Sequence, residues 1–155
     1  WINSNLSKKN VIHLIGPKNC MKTKFASWMC NSALLVAKIT KVNKTSSPFA
    51  LQSLATAKVA LFDDPHLDSG ALQGLLTLFS GDSLTIDVKY EAPQVVSKIP
   101  VIICSNSHII QGPIWEARMN RFNWKEIHFG STSECLFPIL FKQLNPFYVY
   151  QWFKG

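Results

Sequence analysis

What this sequence lacks narrows it first. No apolar run is long enough to cross a bilayer, and no basic stretch followed by an apolar one opens the chain, so neither a membrane span nor a secretory leader is expected. Cysteine is scarce. The four present, Cys20, Cys30, Cys104 and Cys135, lie far apart without a CxxC pair, which argues against a zinc site or a disulfide framework and for a reduced intracellular compartment. Acids are few, nine Asp plus Glu against sixteen Lys plus Arg. The net charge of +7 favours an anionic partner, nucleic acid being the natural one and a merely solvated basic surface the plain alternative. There is no internal repeat or low-complexity segment, and 47% hydrophobic residues speak against disorder. The expectation is one soluble globular domain over residues 1–155, cut from something longer because it starts at Trp1.

One missing glycine matters more than any of these. Ile15-Gly16-Pro17-Lys18-Asn19-Cys20-Met21-Lys22-Thr23 follows an apolar run, Val11 to Ile15, and leads into Phe25-Ala26-Ser27-Trp28-Met29, which has helical spacing. A glycine-opened turn ending in Lys-Thr between a strand and a helix is the setting of a phosphate cradle. Backbone N–H groups and the helix N-terminus face an anion, Lys22 reaches the terminal phosphates, and the Thr23 hydroxyl can ligate magnesium. ATP with Mg2+ is the expected ligand. The pattern is GxxxxGK[ST], however, and Met21 stands where the second glycine belongs. Glycine is usual there because the backbone must approach phosphate in a conformation that a side chain resists.

Along the chain, Val11 to Ile15 reads as a buried strand carrying a lone His13, a satisfied core or edge histidine rather than a catalytic one. A helix is expected from Thr23 to about Ala33, a strand from Leu34 to Ile39, and a polar connection from Thr40 to Ser47. The next strand, from Ala57, ends in Asp63-Asp64 at its carboxyl edge, where an α/β nucleotide fold places magnesium-binding and water-activating acids. Asp68 is the better helix cap, ahead of an amphipathic helix with Leu72, Leu75, Leu76 and Phe79 on one face, closed by Ser80-Gly81-Asp82. His66 is expected to be structural or exposed. Residues 83–96 alternate as a β-hairpin with Lys89-Tyr90 at its tip, a cation beside an aromatic that can hold a phosphate and stack on a base, or an ordinary exposed turn. The strand from Ile99 ends on Asn106, able to orient a water, sense the γ-phosphate or cap the turn that follows. Arg118 and Arg121 precede a last strand expected from Phe122 to Phe129, where an arginine can reach a neighbouring subunit's phosphate. Residues 131–155 read as a packed C-terminal helix and tail.

The order of these pieces resembles the superfamily 3 helicases of small DNA viruses, nearest to the papillomavirus replicative helicase, with the parvovirus non-structural helicase a close relative. The resemblance is carried by K-K-N at 8 to 10, G-P-K-N-C-M-K-T at 16 to 23 and the run F-A-L-Q-S-L-A-T-A-K-V-A-L-F-D-D at 49 to 64. It continues in S-L-T-I-D-V-K-Y-E-A-P at 83 to 93, K-I-P-V-I-I-C-S-N at 98 to 106 and A-R-M-N-R-F at 117 to 122. It implies a three-layer α/β P-loop domain of AAA+-like type, with a central mainly parallel sheet and a DNA-contacting β-hairpin. Residues 16 to 23 would then hold ATP, with Thr23 and Asp63 on Mg2+, Asp64 polarising the attacking water, Asn106 as sensor and Arg118 as an arginine finger acting in trans. Lys8 would reach the adjacent subunit's nucleotide, and Lys89 with Tyr90 would grip single-stranded or forked DNA. The resemblance further implies a hexameric ring, contacts with other replication proteins, work in the host-cell nucleus and no membrane association. Two departures stand out: Met21, and Leu76 where papillomavirus relatives tend to carry an arginine, which removes one inter-subunit contact. Two forms of the reading stay open, an ATP-hydrolysing helicase motor and a non-hydrolysing or repurposed, virus-derived DNA-binding or assembly module on the same fold.

Overall fold

The computed structural model describes residues 9–30, 35–42 and 49–123. The chain runs β1 (Val11–Ile15), α1 (Lys22–Cys30), β2 (Val36–Val42), a 3-10 turn at Gln52–Ala55, β3 (Val59–Leu67) and α2 (Ser69–Ser80). It continues with two short strands, β4 (Leu84–Ile86) and β5 (Gln94–Val96), then β6 (Val101–Ser105), α3 (Pro113–Glu116) and β7 (Met119–Asn123). Five strands form one sheet in the order β2-β3-β6-β1-β7, and every pairing in it is parallel. β4 and β5 form the separate antiparallel hairpin.

Helices cover both faces, so the central strands β1 and β6 read as nearly continuous apolar runs. On one face Leu14, Leu61, Ile102 and Cys104 pack against Phe25, Ala26 and Cys30 of α1. On the other, Val11, Phe62 and Ile103 meet Leu75, Leu78 and Phe79 of α2, with Ile86 and Val96 of the hairpin joining the same core. Leu75, Leu78 and Phe79 are fully buried, each contributing roughly 1.5–3 kcal/mol of hydrophobic stabilisation. The ends of α2 are fixed by its sequence. The Asp68 carboxylate accepts the Ala71 N–H at 2.6 Å, and Gly81, at φ 75°, turns the chain out of the helix. A side chain at Gly81 would meet Lys98 and Asn10 at 3.0 and 3.2 Å.

Three boundaries differ from expectation. β2 runs on through Thr40-Lys41-Val42, part of the stretch read as a polar connection, because it is an edge strand whose exposed positions are naturally polar. β7 begins at Met119 rather than Phe122, again an edge strand, in which the polar Asn120 and Arg121 follow the buried Met119. Third, β3 does not stop at the acid pair. It continues to Leu67, and between the pairs Ile39↔Phe62 and Lys41↔His66 it has three residues where β2 has only Thr40. Asp63, Asp64 and Pro65 therefore form a bulge, with Asp64 at φ 44°. The continuation to Phe129, residues 31–33 of the first helix, and the helix and tail at 131–155 lie outside the described residues.

Candidate functional site

In a parallel sheet all strands end at the same edge, and ligands bind in the crevice beyond those ends. Here that edge gathers the loop after β1, the bulge of β3 and the end of β6 around a cleft of about 580 Å³, a volume ordinary for a small-molecule site. The loop is anchored by the Gly16 N–H, which donates to the Ser105 carbonyl of β6 at 3.2 Å. The Cys20 thiol donates back to the Pro17 carbonyl at 2.9 Å. Asn19 and Met21 both have positive φ, 60° and 65°, with Cys20 between them outside that region. Such alternation turns successive N–H groups toward one concavity, the geometry that holds an anion. α1 then starts with the Phe25 N–H on the Met21 carbonyl at 2.9 Å. No acid of the helix itself sits in its first turn, and its positive end faces the cleft.

Met21 thus takes the left-handed conformation for which glycine is usual, at a local cost of roughly 1–2 kcal/mol. The loop keeps the cradle's backbone shape with a half-buried side chain on it, and Met21 is part of the cleft wall.

Lys22 is only 7% exposed. Its ammonium donates to the Gly16 and Pro17 carbonyls at 2.9 and 2.6 Å and to Asn106 Oδ1 at 3.3 Å, with the Cys20 sulfur also at 3.3 Å. Asn106 turns its other end to the acid pair, Nδ2 donating to Asp64 Oδ2 at 3.3 Å. The Thr23 hydroxyl donates to Asp63 Oδ1 at 2.7 Å. Lys22–Asn106–Asp64 and Thr23–Asp63, drawn from three segments, are therefore two hydrogen-bonded sets side by side in one cleft, and Lys18, Asn19 and Cys20 join them in its wall. Beneath it Cys104 is inert as a nucleophile. Burial, with the Asp63 charge adding and Lys22 opposing, pushes its thiol up to about 12.

These residues fit a magnesium nucleotide. A hydroxyl and a carboxylate in contact, with a second carboxylate beside them, are hard oxygen donors. Among the described residues no three of His, Cys, Asp and Glu converge into an all-protein cage. Magnesium does not need one, since it is commonly held by one or two carboxylates together with waters and substrate phosphates.

The remaining expected residues lie elsewhere. Arg118 immediately precedes β7, whose Met119 pairs with Val11 at the start of β1, so it stands at the edge opposite the cleft. There its Nε donates to Ser80 Oγ and its Nη1 to the Ile114 carbonyl, both at 2.6 Å. Arg121 is inside β7 and is held by Glu116 at 2.9 Å and the Ile110 carbonyl at 2.7 Å. Lys89 and Tyr90 form the hairpin tip as expected, Tyr90 93% exposed at φ 65° with the Lys89 ammonium 4.8 Å above its ring. Lys8 lies outside the described residues. His66 is exposed.

His13 corrects one expectation, because it is only half satisfied. Ser105 gives its proton to the Ser107 carbonyl at 2.6 Å, so its oxygen accepts from His13 Nε2 at 2.8 Å, while Nδ1 is buried and has no hydrogen-bond partner among the described residues. Burial, with Arg121 and then His108 adding, lowers its pKa to about 4. Sequence reasoning missed two serines, Ser105, which accepts from His13 and from the Gly16 N–H, and Ser80, which accepts from Arg118. Each looked like an ordinary strand or helix end.

A family model described as papillomavirus helicase matches residues 2–152. Replication protein E1 of Human papillomavirus type 32 is 34% identical over 151 residues, covering 94% of this chain and 22% of that protein. Initiator protein NS1 of Bombyx mori densovirus is 26% identical over 117 residues, 76% of this chain and 13% of that one. Among solved structures, JCV helicase bound to a substituted N-phenylacetamide compound superposes with a TM-score of 0.66 at 18% identity, over 92% of this chain and 43% of that one, a likeness of fold. The chain spans about a quarter of the length of the papillomavirus proteins it matches. A match this continuous, on a sheet that gathers the expected loop, acid pair and asparagine at one edge, settles the kinship: the chain belongs to the papillomavirus helicase family.

Proposed function

We propose that the chain is the ATP-driven motor of a viral DNA helicase, moving on single-stranded or forked DNA as a head-to-tail ring of six, in the nucleus of the host cell and alongside other replication proteins. The observation that carries this reading is the pair of hydrogen-bonded sets Lys22–Asn106–Asp64 and Thr23–Asp63, which bring the groups that phosphoryl transfer requires of one subunit to the wall of one cleft. The loop N–H groups and Lys22 hold the phosphates. Thr23 and Asp63 hold Mg2+, which supplies charge neutralisation on the phosphate oxygens. Asp64 accepts a hydrogen bond from the attacking water, and Asn106, bonded to both Lys22 and Asp64, registers the terminal phosphate. Arg118 acts on a neighbour's site, which suits a heterologous ring contact. Lys89 and Tyr90 contact DNA through a backbone phosphate and a base face.

The decisive experiment is ATP hydrolysis by the full 155-residue chain with and without single-stranded DNA, in wild type and Lys22→Ala. Stimulated turnover that Lys22→Ala abolishes supports the motor. Its absence in a preparation that forms rings rules the motor out. A second reading, a non-hydrolysing DNA-binding or assembly module, is favoured by one observation, the strained Met21 in the cleft wall. Hydrolysis that appears only in Met21→Gly would select it.

A further inference from the structure

We infer that Ser80 is the positioning residue of Arg118, fixing the guanidinium in one orientation before any neighbour arrives. The inference rests on the motor reading for its purpose and on geometry for its substance. Ser80 Oγ donates its proton to the Leu76 carbonyl at 2.9 Å, so its lone pairs are turned to the Arg118 Nε, which donates to it at 2.6 Å. The Ile114 carbonyl takes Nη1 at 2.6 Å. Two of the three guanidinium nitrogens are thereby tied inside the chain. Nη2 makes no hydrogen bond among the described residues and is not among their buried orphaned atoms, so it is presented outward.

A flexible arginine would lose several side-chain torsions on meeting a phosphate, whereas one held at two points spends little entropy at that moment. Preorganised donors of this kind act where transition-state charge develops. The support itself is rigid. Ser80 is the last residue of α2, which packs through Leu75, Leu78 and Phe79 into the core. The helix begins at its Asp68 cap, four residues beyond Asp64, so one strut of roughly 18 Å joins the acid pair of a chain's own cleft to the serine that aims its arginine outward.

The test is steady-state ATP hydrolysis by the full chain with DNA present. Ser80→Ala should lower kcat by roughly tenfold with the KM for ATP unchanged, as expected for a lost hydrogen bond to a charged group. Ser80→Thr, which restores a hydroxyl, should recover most of it. The double variant Ser80→Ala/Arg118→Ala should be no slower than Arg118→Ala alone. Wild-type kcat in Ser80→Ala, or losses that multiply in the double variant, would overturn the assignment. Should the wild type show no turnover at all, the motor reading fails instead, and hydrogen exchange at the Arg118 side-chain Nε–H still decides the positioning. Exchange accelerated about tenfold or more in Ser80→Ala supports it, and unchanged exchange overturns it.

Discussion

Thr23 Oγ1 lies 2.7 Å from Asp63 Oδ1, joining the first turn of α1 to the bulge of β3 across forty residues of chain. Because a hydroxyl and a carboxylate in contact can supply two neighbouring positions of an octahedral magnesium shell, Asp63→Asn should remove a charged ligand while keeping the hydrogen bond to Thr23. The gain in ATP affinity on adding Mg2+ should fall about tenfold, with affinity in EDTA unchanged. Titration calorimetry in both buffers reads the two values, and an intact magnesium gain would remove Asp63 from the shell.

Met21→Gly tests the loop. Relieving a left-handed methionine gains roughly 1–2 kcal/mol, but glycine's extra freedom in the unfolded chain returns roughly 0.5–1 kcal/mol of that. Thermal stability should therefore shift little, while ATP affinity and turnover rise because the backbone can approach phosphate without the half-buried side chain. Calorimetry beside an ATPase assay separates the two quantities.

Lys22→Met separates binding from folding. The lysine ammonium is buried among carbonyls rather than paired with a carboxylate, so an apolar side chain of similar length should leave the unfolding midpoint unchanged or raised. ATP binding should drop by two orders of magnitude or more, on the order of a lost charge-assisted phosphate contact. A midpoint lowered by many degrees would mean that Lys22 is chiefly a strut for the loop.

The hairpin predicts two different losses. Removing Lys89 should reduce the salt slope of single-stranded DNA binding by about 0.7, the share of one phosphate contact. Tyr90→Ala should weaken binding by roughly 1–3 kcal/mol with the slope unchanged, the signature of lost stacking. Titrations at several salt concentrations distinguish them. Identical behaviour of both variants would place the hairpin away from DNA.

His13 predicts an acid-sensitive core. Its folded pKa of about 4 lies below its ordinary value of 6.5, so as pH falls the unfolded chain takes the proton first. The stability is fully present above pH 6.5 and is lost between there and pH 4, up to about 3 kcal/mol in total. Urea midpoints measured across that window should fall with acid in the wild type and lose this component in His13→Leu.

Much of this was legible in the sequence. α2 was plain because its leucines, its Asp68 cap and Gly81 all point the same way, and the mainly parallel sheet was implied by the resemblance to the superfamily 3 helicases. Hidden were the features that depend on neighbours. Thr40 and Lys41 look like loop residues until β2 is known to be an edge strand. The acid pair reads as a strand end because a bulge leaves no mark in a one-dimensional pattern. Met21 was legible as an anomaly, and its φ shows why, since the loop imposes the conformation that glycine would have adopted freely. Ser80 carried no signal at all, for its partner is 38 residues away.

A parallel sheet with its cleft on one edge and Arg118 on the other has an arithmetic consequence. Five strand residues at about 3.3 Å each separate the two, so no chain's arginine reaches its own cleft. Under the motor reading, competence belongs to junctions rather than to chains. Any open row of subunits carries an orphan cleft at one end and an orphan arginine at the other, and only closure leaves neither idle.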